Sequence, residues 1–277
     1  MRAYLDCYPC FLTQTLKTAR LITSDERKIK DILDKVAASL PQINFAATPA
    51  EIGREVYRII AQESGVEDPY HHLKKVWTAK ALKLYPYLKK LIRSSSDPLF
   101  QAIKVAIVGN VIDFGVNRSF NLEEEVEQIL HQPLVINHYQ RFQETLKKAP
   151  QILYIADNAG ETVFDRLLIE EMAKPVIYVV REKPVINDAV RQDAEEAGLA
   201  QVAQIISSGV DAPGTVLSLC HDEFRKIFIS AEMIISKGQG NYEGLSEEKG
   251  PLFFLLKAKC EVIARELNVP LGSLLLI

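Results

Sequence analysis

The second half of the chain alternates short apolar runs with longer amphipathic stretches, and this alternation limits the possible folds more than any other feature. Six runs have the length of a strand: ILYIAD (152–157), PVIYVV (175–180), AQIISS (203–208), MIISK (233–237), LFFLLK (252–257) and SLLLI (273–277). Stretches with helical spacing lie between most of them, and GETVFDRLLIEEMAK and NDAVRQDAEEAGL are the clearest. Short apolar strands that alternate with helices predict a parallel sheet covered on both faces.

The N-terminal part has a different pattern, in which apolar residues recur at intervals of three and four and predict helices. Thr48, Pro49 and Glu51 form a typical helix start with a reciprocal cap. No alternating strand pattern occurs before about residue 151. We therefore predict an α/β protein with an all-helical N-terminal domain (1–100). A Rossmann-like, doubly wound α/β/α sandwich domain (101–277) would follow it and carry the metal site and the catalysis.

Composition and charge exclude several classes of function. The chain has 48% hydrophobic and 25% charged residues and a net charge of −3. It lacks the basic balance with which nucleic-acid-binding proteins neutralise phosphates, and no apolar run reaches the roughly 20 residues that span a bilayer. The first residues do not have the order of a signal peptide. We predict a cytoplasmic protein with no nucleic-acid or membrane partner.

Polar residues follow three of the apolar runs, at the carboxyl ends of strands where open parallel sheets bind ligands. Asp157 and Asn158 follow the first run, Asp188 lies in the loop after the second, and Lys237 begins a glycine-rich loop. Two carboxylates and an amide oxygen suit magnesium, manganese or a similar divalent ion, and a lysine beside glycines suits an anion. Together these residues indicate hydrolytic phosphoryl transfer. Singly, the aspartates are equally typical of helix N-caps and the lysine of a solvated loop.

Six short segments occur in order along the chain: DCYPCFL (6–12), GNVIDFG (109–115), DNAGETVFD (157–165), KPVINDA (183–189), SSGVDAPGT (207–215) and SKGQGNYE (236–243). In this order and spacing they resemble the damage-control phosphatase family, whose members are metal-dependent phosphatases. The resemblance implies a helical N-terminal part and a Rossmann-like C-terminal part. It also implies that Asp157, Asn158 and Asp188 ligate a divalent ion (Mn, Ni, Co or Mg) and that the two aspartates take part in catalysis.

The resemblance further implies that Lys237 contacts the phosphate of a small phosphorylated metabolite, aided by Asn241 and the segment 207–215. The CYPC sequence resembles the archaeal and bacterial branch of the family. Eukaryotic relatives tend to have Asn-Tyr-Arg where this chain has Asn241, Tyr242 and Glu243. Their substrates, which include fructose phosphates and modified sugar phosphates, are therefore not carried over to this chain. The sequence leaves the oligomeric state open.

Asn110 and Asp113 are three residues apart and share one face of a helix. The family resemblance implies that this face reaches the rim of the active site and contacts the substrate. The alternative is an ordinary helix C-terminus, because Gly109 and Gly115 bracket the segment.

Cys7 and Cys10 have the spacing of half a zinc site or of a redox pair. Cys220 and Cys260 are isolated and do not supply the second pair that a four-ligand zinc site needs. Packing thiols, a role near the active site, and metal or redox chemistry remain as alternatives for the pair.

Three other functions are weighed against the phosphatase hypothesis. A dinucleotide-binding oxidoreductase is suggested by Gly238 and Gly240, but position 243, where the fingerprint needs a third glycine, is Glu243. A phosphatase with an aspartyl-phosphate intermediate needs an Asp-x-Asp pair after its first strand, and Ala159 stands where the second aspartate belongs. A non-catalytic metal- or metabolite-binding protein would have the same ligand residues, so it remains an alternative.

Overall fold

The computed structural model of the protein describes residues 1–44, 46–110 and 122–277. The α-helices are α1 (Cys7–Ile22), α2 (Glu26–Ser39), α3 (Pro49–Ser64), α4 (His71–Arg93), α5 (Pro98–Gly109), α6 (Leu122–Leu130), α7 (Tyr139–Lys148), α8 (Thr162–Met172), α9 (Arg191–Glu196), α10 (Asp222–Ser230), α11 (Gly238–Leu245) and α12 (Glu261–Glu266). The strands are β1 (Leu134–Asn137), β2 (Ile152–Ile155), β3 (Val176–Val180), β4 (Gln204–Ser207), β5 (Ile234–Lys237), β6 (Leu252–Lys257) and β7 (Leu274–Leu276).

One seven-stranded sheet contains all of these strands, in the order β1-β7-β6-β5-β2-β3-β4. Strands β2 to β6 are parallel to one another, whereas β7 pairs antiparallel with β6 and parallel with β1. The chain proceeds from β2 to β3 and β4 on one side and returns through β5 and β6 on the other. The strand order therefore reverses between β2 and β5, which is the position where doubly wound sheets bind their ligands.

Alternate side chains of the strands pack into two separate cores, one on each face of the sheet. Tyr154 and Tyr178 point to the face covered by α4, α5 and α8. Leu153 and Val179 point to the opposite face, where residues of α10, α11 and α12 cover them. The sandwich of helix, sheet and helix is the fold class that the sequence predicts, and it is confirmed.

Helices α1, α2 and α3 form a third core of their own, with buried residues such as Phe11, Ile32 and Val56. The predicted start of α3 is confirmed, since the Glu51 N–H donates to the Thr48 hydroxyl and the Thr48 N–H donates to the Glu51 carboxylate. Helix α4 packs instead against α5 and α8, and its Leu88 is fully buried in the core that these helices share with one face of the sheet. The domain boundary at residue 100 stays a prediction, although α4 already belongs to the core of the sheet and not to that of α1 to α3.

The structure corrects the sequence analysis at two strands. Strand β1 precedes residue 151, where no strand was predicted, and its alternating half-buried and exposed residues are typical of a short edge strand. Strand β7 departs from the parallel arrangement by pairing antiparallel with β6. The other strands, β2 to β6, confirm the predicted parallel runs. No helix within the described ranges has both the length and the apolar character that crossing a membrane requires.

Candidate active site

The side chains of Asp157, Asn158 and Asp188 converge where β2 and β3 end. Asp157 lies two residues beyond β2, and its carbonyl accepts a hydrogen bond from the Ala189 N–H at 2.8 Å. Asn158 and Asp188 form an isolated antiparallel bridge, a pairing that holds opposite Cα atoms about 4.5–5.5 Å apart. All three side chains line one cavity of about 490 Å³. The structure thus brings together the three residues that the sequence proposes as metal ligands.

The two carboxyl groups are buried, and their surroundings disfavour the ionised form. Burial, followed by the negative charges of Glu161 and Asp188, raises the pKa of Asp157 to about 8. Burial also raises the pKa of Asp188, although the neighbouring Arg181 guanidinium opposes this effect. A cation placed between the two carboxylates would favour their ionised forms.

The cavity is acidic as a whole. Its described lining residues include five carboxylic acids and a single lysine: Asp6, Asp157, Asp188, Glu243, Glu261 and Lys259. A phosphate ester is itself an anion, so these carboxylates repel it unless a bound cation offsets their charge. Lys259 is exposed and lies close enough to Asp157 to favour its ionised form. Lys259 is therefore the cation placed to meet an anionic ligand in this cavity.

The types of side chain at this site suit a divalent metal ion, and in this structure the Asn158 Nδ2 donates to Asp157 Oδ2 at 3.1 Å. Within the described ranges, no three His, Cys, Asp or Glu side chains are grouped to hold a metal, so the candidate set is Asp157 and Asp188 completed by the Asn158 amide. These are hard oxygen donors of the kind that magnesium and manganese prefer. A set of three protein ligands leaves coordination positions for water and for substrate.

Arg181 holds Asp188 in place. This arginine follows β3 and is fully buried, and its Nε donates to Asp188 Oδ2 at 2.7 Å. Its two terminal nitrogens donate to Thr215 Oγ1 and Asn241 Oδ1, each at 2.9 Å. One guanidinium group therefore connects the β3 loop to the segment 207–215 and to α11.

Lys237 occupies a different place from the one expected of a phosphate ligand. It ends β5, is fully buried, and donates from Nζ to the Ala106 carbonyl at 2.9 Å, to Asp165 at 2.6 Å and to Glu161. Burial alone would lower the pKa of Lys237, and the two carboxylates outweigh this and raise it. Lys237 is not among the groups that line the cavity. Its contact with phosphate stays a prediction, and in this arrangement the ammonium group binds carboxylates instead.

Asn241 is also withdrawn from the cavity. Its Oδ1 accepts from Arg181 and from the N–H and hydroxyl of Thr215, while its Nδ2 donates to the carbonyls of Ala156 and Lys237. These bonds join the segment 207–215, β5 and the end of β2. The predicted contact between Asn241 and substrate is untested, and the structure gives the side chain a bracing position.

Asn110 reaches the cluster from the end of α5. Its Nδ2 donates to Asp157 Oδ2 at 2.7 Å and to Glu161 Oε2 at 2.8 Å, while its buried Oδ1 has no hydrogen-bond partner among the described residues. The structure therefore places Asn110 against a candidate metal ligand, behind the lining of the cavity. Asp113, its predicted companion, lies outside the described residues.

Close packing explains why positions 238 and 240, directly after β5, are glycines. A Cβ atom on Gly238, which has a φ of +77°, would lie 1.9 Å from Asp157 Oδ2, and one on Gly240 would lie 2.3 Å from the Pro213 carbonyl oxygen. These glycines lie in the first turn of α11, not in the loop that the sequence predicts, and α11 follows β5. A dinucleotide fingerprint instead follows the first strand of its βαβ unit. The Gly238 and Gly240 pair therefore gives no support to the oxidoreductase alternative.

Three residues of this site were not identified in the sequence analysis: Lys259, Arg181 and Glu161. Lys259 lies two residues beyond β6, so inspection of every strand end would have found it. Arg181 directly follows β3, but nothing in the sequence shows that its side chain turns inward toward Asp188.

Comparison with known proteins places the chain among named relatives. The family described as "Damage-control phosphatase ARMT1-like domain" matches residues 3–275. "Damage-control phosphatase PH1575" of Pyrococcus horikoshii is 38% identical over 283 residues, covering 99% of this chain and 97% of the relative. A protein named "Damage-control phosphatase" from Archaeoglobus fulgidus is 34% identical and covers 97% and 96%, respectively. "Uncharacterized protein MJ0202" of Methanocaldococcus jannaschii is 35% identical and covers 97% and 92%.

A solved structure shows the same similarity in three dimensions. The crystal structure of a DUF89 family protein, PH1575 from Pyrococcus horikoshii, superposes with a TM-score of 0.93 at 37% identity, covering 100% of this chain and 99% of the other. The match includes the helical N-terminal part and the sheet. The chain belongs to the damage-control phosphatase ARMT1-like family.

Proposed function

We propose that this protein is a divalent-metal-dependent phosphatase that hydrolyses small phosphorylated metabolites, such as sugar phosphates or damaged phosphometabolites. The observation that carries the proposal is the acidic cavity in which Asp157, Asn158 and Asp188 converge and which Lys259 faces. Family membership supports phosphatase chemistry, and the excess of carboxylates over cations in the cavity supports a requirement for a metal ion.

Asp157, Asn158 and Asp188 would hold the ion, which can be Mn, Ni, Co or Mg. When bound, such an ion polarises a phosphoryl group and makes water a better nucleophile. Arg181 keeps one oxygen of Asp188 in a fixed position, and Asn110 does the same for Asp157. Lys259 neutralises charge on the phosphate and favours its entry. A carboxylate oxygen of Asp157 or Asp188 accepts the proton of an attacking water.

Release of inorganic phosphate from p-nitrophenyl phosphate tests the proposal. Metal-free protein should be inactive, and addition of Mn²⁺, Co²⁺, Ni²⁺ or Mg²⁺ should restore turnover. Asp157→Asn should lower kcat/KM by about two orders of magnitude or more, because even residues that only support metal ligands are each worth about 10–100-fold. The cavity and the fold should remain, since asparagine has nearly the same volume.

Asp34→Asn is the matched control. Asp34 forms an exposed ion pair with Lys30 on α2 and is not among the residues that line the cavity. Its activity should equal that of the wild type. Wild-type turnover by Asp157→Asn with every metal would reject the site. A protein that binds Mn²⁺ in a calorimetric titration but hydrolyses no phosphate ester would instead be the non-catalytic alternative.

A further inference from the structure

The proposed phosphatase chemistry leaves the cysteines near the cavity unused. Cys7 and Cys10 lie in the first turn of α1, and Cys260 directly precedes α12. All three line the same cavity as Asp157 and Asp188. The fourth cysteine, Cys220, is buried elsewhere, in the core beneath α10. The cavity therefore carries three thiols within reach of any molecule that enters it.

Cys7 and Cys10 have the spacing of a disulfide. Residues three apart in an α-helix have Cα atoms about 5 Å apart, within the roughly 4.4–6.8 Å of disulfide bonds. Their Cβ atoms are about 5–6 Å apart and must approach to about 3.5–4.5 Å. This approach takes place in the first turn of α1, where the Cys7 and Tyr8 N–H groups donate to the Tyr4 and Leu5 carbonyls ahead of the helix and not to carbonyls within it. No side chain caps this end of α1.

The thiols of Cys7 and Cys10 differ in their exposure to solvent. Cys10 is exposed, and its sulfur accepts a hydrogen bond from the Gln14 amide at 3.3 Å. Cys7 is half-buried, and its sulfur accepts from the Tyr4 N–H at 3.5 Å. Burial raises the pKa of the Cys7 thiol. A reagent from solution therefore meets Cys10 first, and Cys7 lies one helical turn behind it.

We propose that Cys7 and Cys10 form a thiol–disulfide exchange site in the wall of the candidate active cavity, and that its reactants are low-molecular-weight disulfides. Cys10 is the attacking thiol and Cys7 is the resolving thiol. The site converts an adduct that would occupy the cavity into an internal disulfide that leaves the cavity open.

The exchange takes place in two balanced steps. The Cys10 thiol loses its proton, and the thiolate attacks one sulfur of the small disulfide; a mixed disulfide forms, the S–S bond of the reagent breaks, and the first small thiolate leaves and takes up that proton. The Cys7 thiol then loses its proton, and its thiolate attacks the Cys10 sulfur. The Cys7–Cys10 bond forms, the mixed disulfide breaks, and the second small thiolate leaves and takes up the second proton. The protein loses two electrons and two protons, and the small disulfide gains them.

The consequence for turnover rests on the proposed phosphatase function. A mixed disulfide on Cys10 places the organic group of the reagent in the cavity, where it excludes substrate from Asp157 and Asp188. Resolution by Cys7 removes that group. Loss of Cys7 should therefore convert a transient adduct into a lasting block.

Dithiobis(nitrobenzoate), whose released thiolate absorbs visible light, tests the chemistry directly. One equivalent added to reduced wild-type protein should release two thiolates per chain and leave no aryl adduct in the intact mass. Cys7→Ser should release one thiolate and retain the adduct. Cys260→Ser is the matched control: it removes a cavity thiol outside the pair, and it should behave as the wild type.

Phosphate release, measured on the same samples, tests the consequence. The adduct on Cys7→Ser should abolish most of its turnover, and dithiothreitol should restore it, while wild-type protein treated alike keeps a larger fraction of its own rate. Retention of the adduct by wild-type protein, or a mapped disulfide that contains Cys260, would overturn the exchange site. The stoichiometry of thiolate release is independent of phosphatase activity, so failure of the proposed function would not obscure it.

Discussion

Two lysines at neighbouring strand ends lie in opposite kinds of environment: Lys237 is the last residue of β5, and Lys259 lies two residues beyond β6. Lys237 is fully buried and donates to the Ala106 carbonyl of α5 and to the carboxylates of Glu161 and Asp165. Asp165 accepts from Lys237 and from two tyrosine hydroxyls, those of Tyr154 and Tyr178, each at 2.7 Å. Lys259 is exposed and faces an acidic cavity.

The comparison separates a group that maintains the fold from a group that is available to a ligand. A buried charge whose hydrogen bonds are all made by the protein has little capacity left for substrate. A cavity with more carboxylates than cations has an excess of negative charge, which a metal ion can offset so that an anionic substrate can bind. By this criterion we expect Lys259, and not Lys237, to meet an anionic ligand. The same substitution at both lysines tests this expectation.

Lys237→Met should have the largest effect on stability. It leaves Glu161 and Asp165 buried without their shared cation, and loss of one partner of a buried ion pair costs about 3–5 kcal/mol. Urea unfolding followed by circular dichroism should show this as a lower midpoint with an unchanged slope. A variant that is as stable as the wild type but inactive would instead place the Lys237 ammonium in contact with phosphate.

Lys259→Met should have the opposite profile, with normal stability and reduced catalysis. The side chain is exposed, so the urea midpoint should not move. Loss of a charge that stabilises the phosphate should lower kcat/KM by about 10–100-fold, equivalent to about 1.4–2.8 kcal/mol.

Lys226→Met is the control for this substitution, because Lys226 is exposed on α10 and does not line the cavity. It should retain both stability and activity. Equal activity of Lys259→Met and Lys226→Met would remove Lys259 from the site.

The fold was largely predictable because buried parallel strands are continuously apolar and stand out between amphipathic helices. Strand β1 was missed for the same reason, since a short edge strand buries only alternate residues and has no continuous apolar run. The antiparallel pairing of β7 with β6 was also not predicted, because an apolar run of three to five residues carries no signal of strand direction.

The candidate site was predictable in part. The strand-end rule found Asp157 and Asp188, since ligands of open parallel sheets lie beyond the carboxyl ends of strands. It did not distinguish Lys237 from Lys259, because side chains alternate between faces and the last residue of β5 points into the core beneath α5. Arg181 was missed because its role comes from contacts with Thr215 and Asn241, which are distant in sequence and meet only in the folded protein.

Arg181→Lys should have the smallest effect. It tests whether the hydrogen bonds of the buried Arg181 side chain position Asp188, a candidate metal ligand. Lysine keeps the positive charge but cannot bridge Asp188, Thr215 and Asn241 with one planar group. Affinity for Mn²⁺, measured by calorimetric titration, should fall by about tenfold, as for other residues that orient metal ligands, while kcat at saturating metal stays within a few-fold. Thr215→Val is the control, since it removes one partner of Arg181 and leaves its bond to Asp188. If Arg181→Lys and Thr215→Val bind Mn²⁺ equally well, Arg181 serves the fold and does not position the ligand.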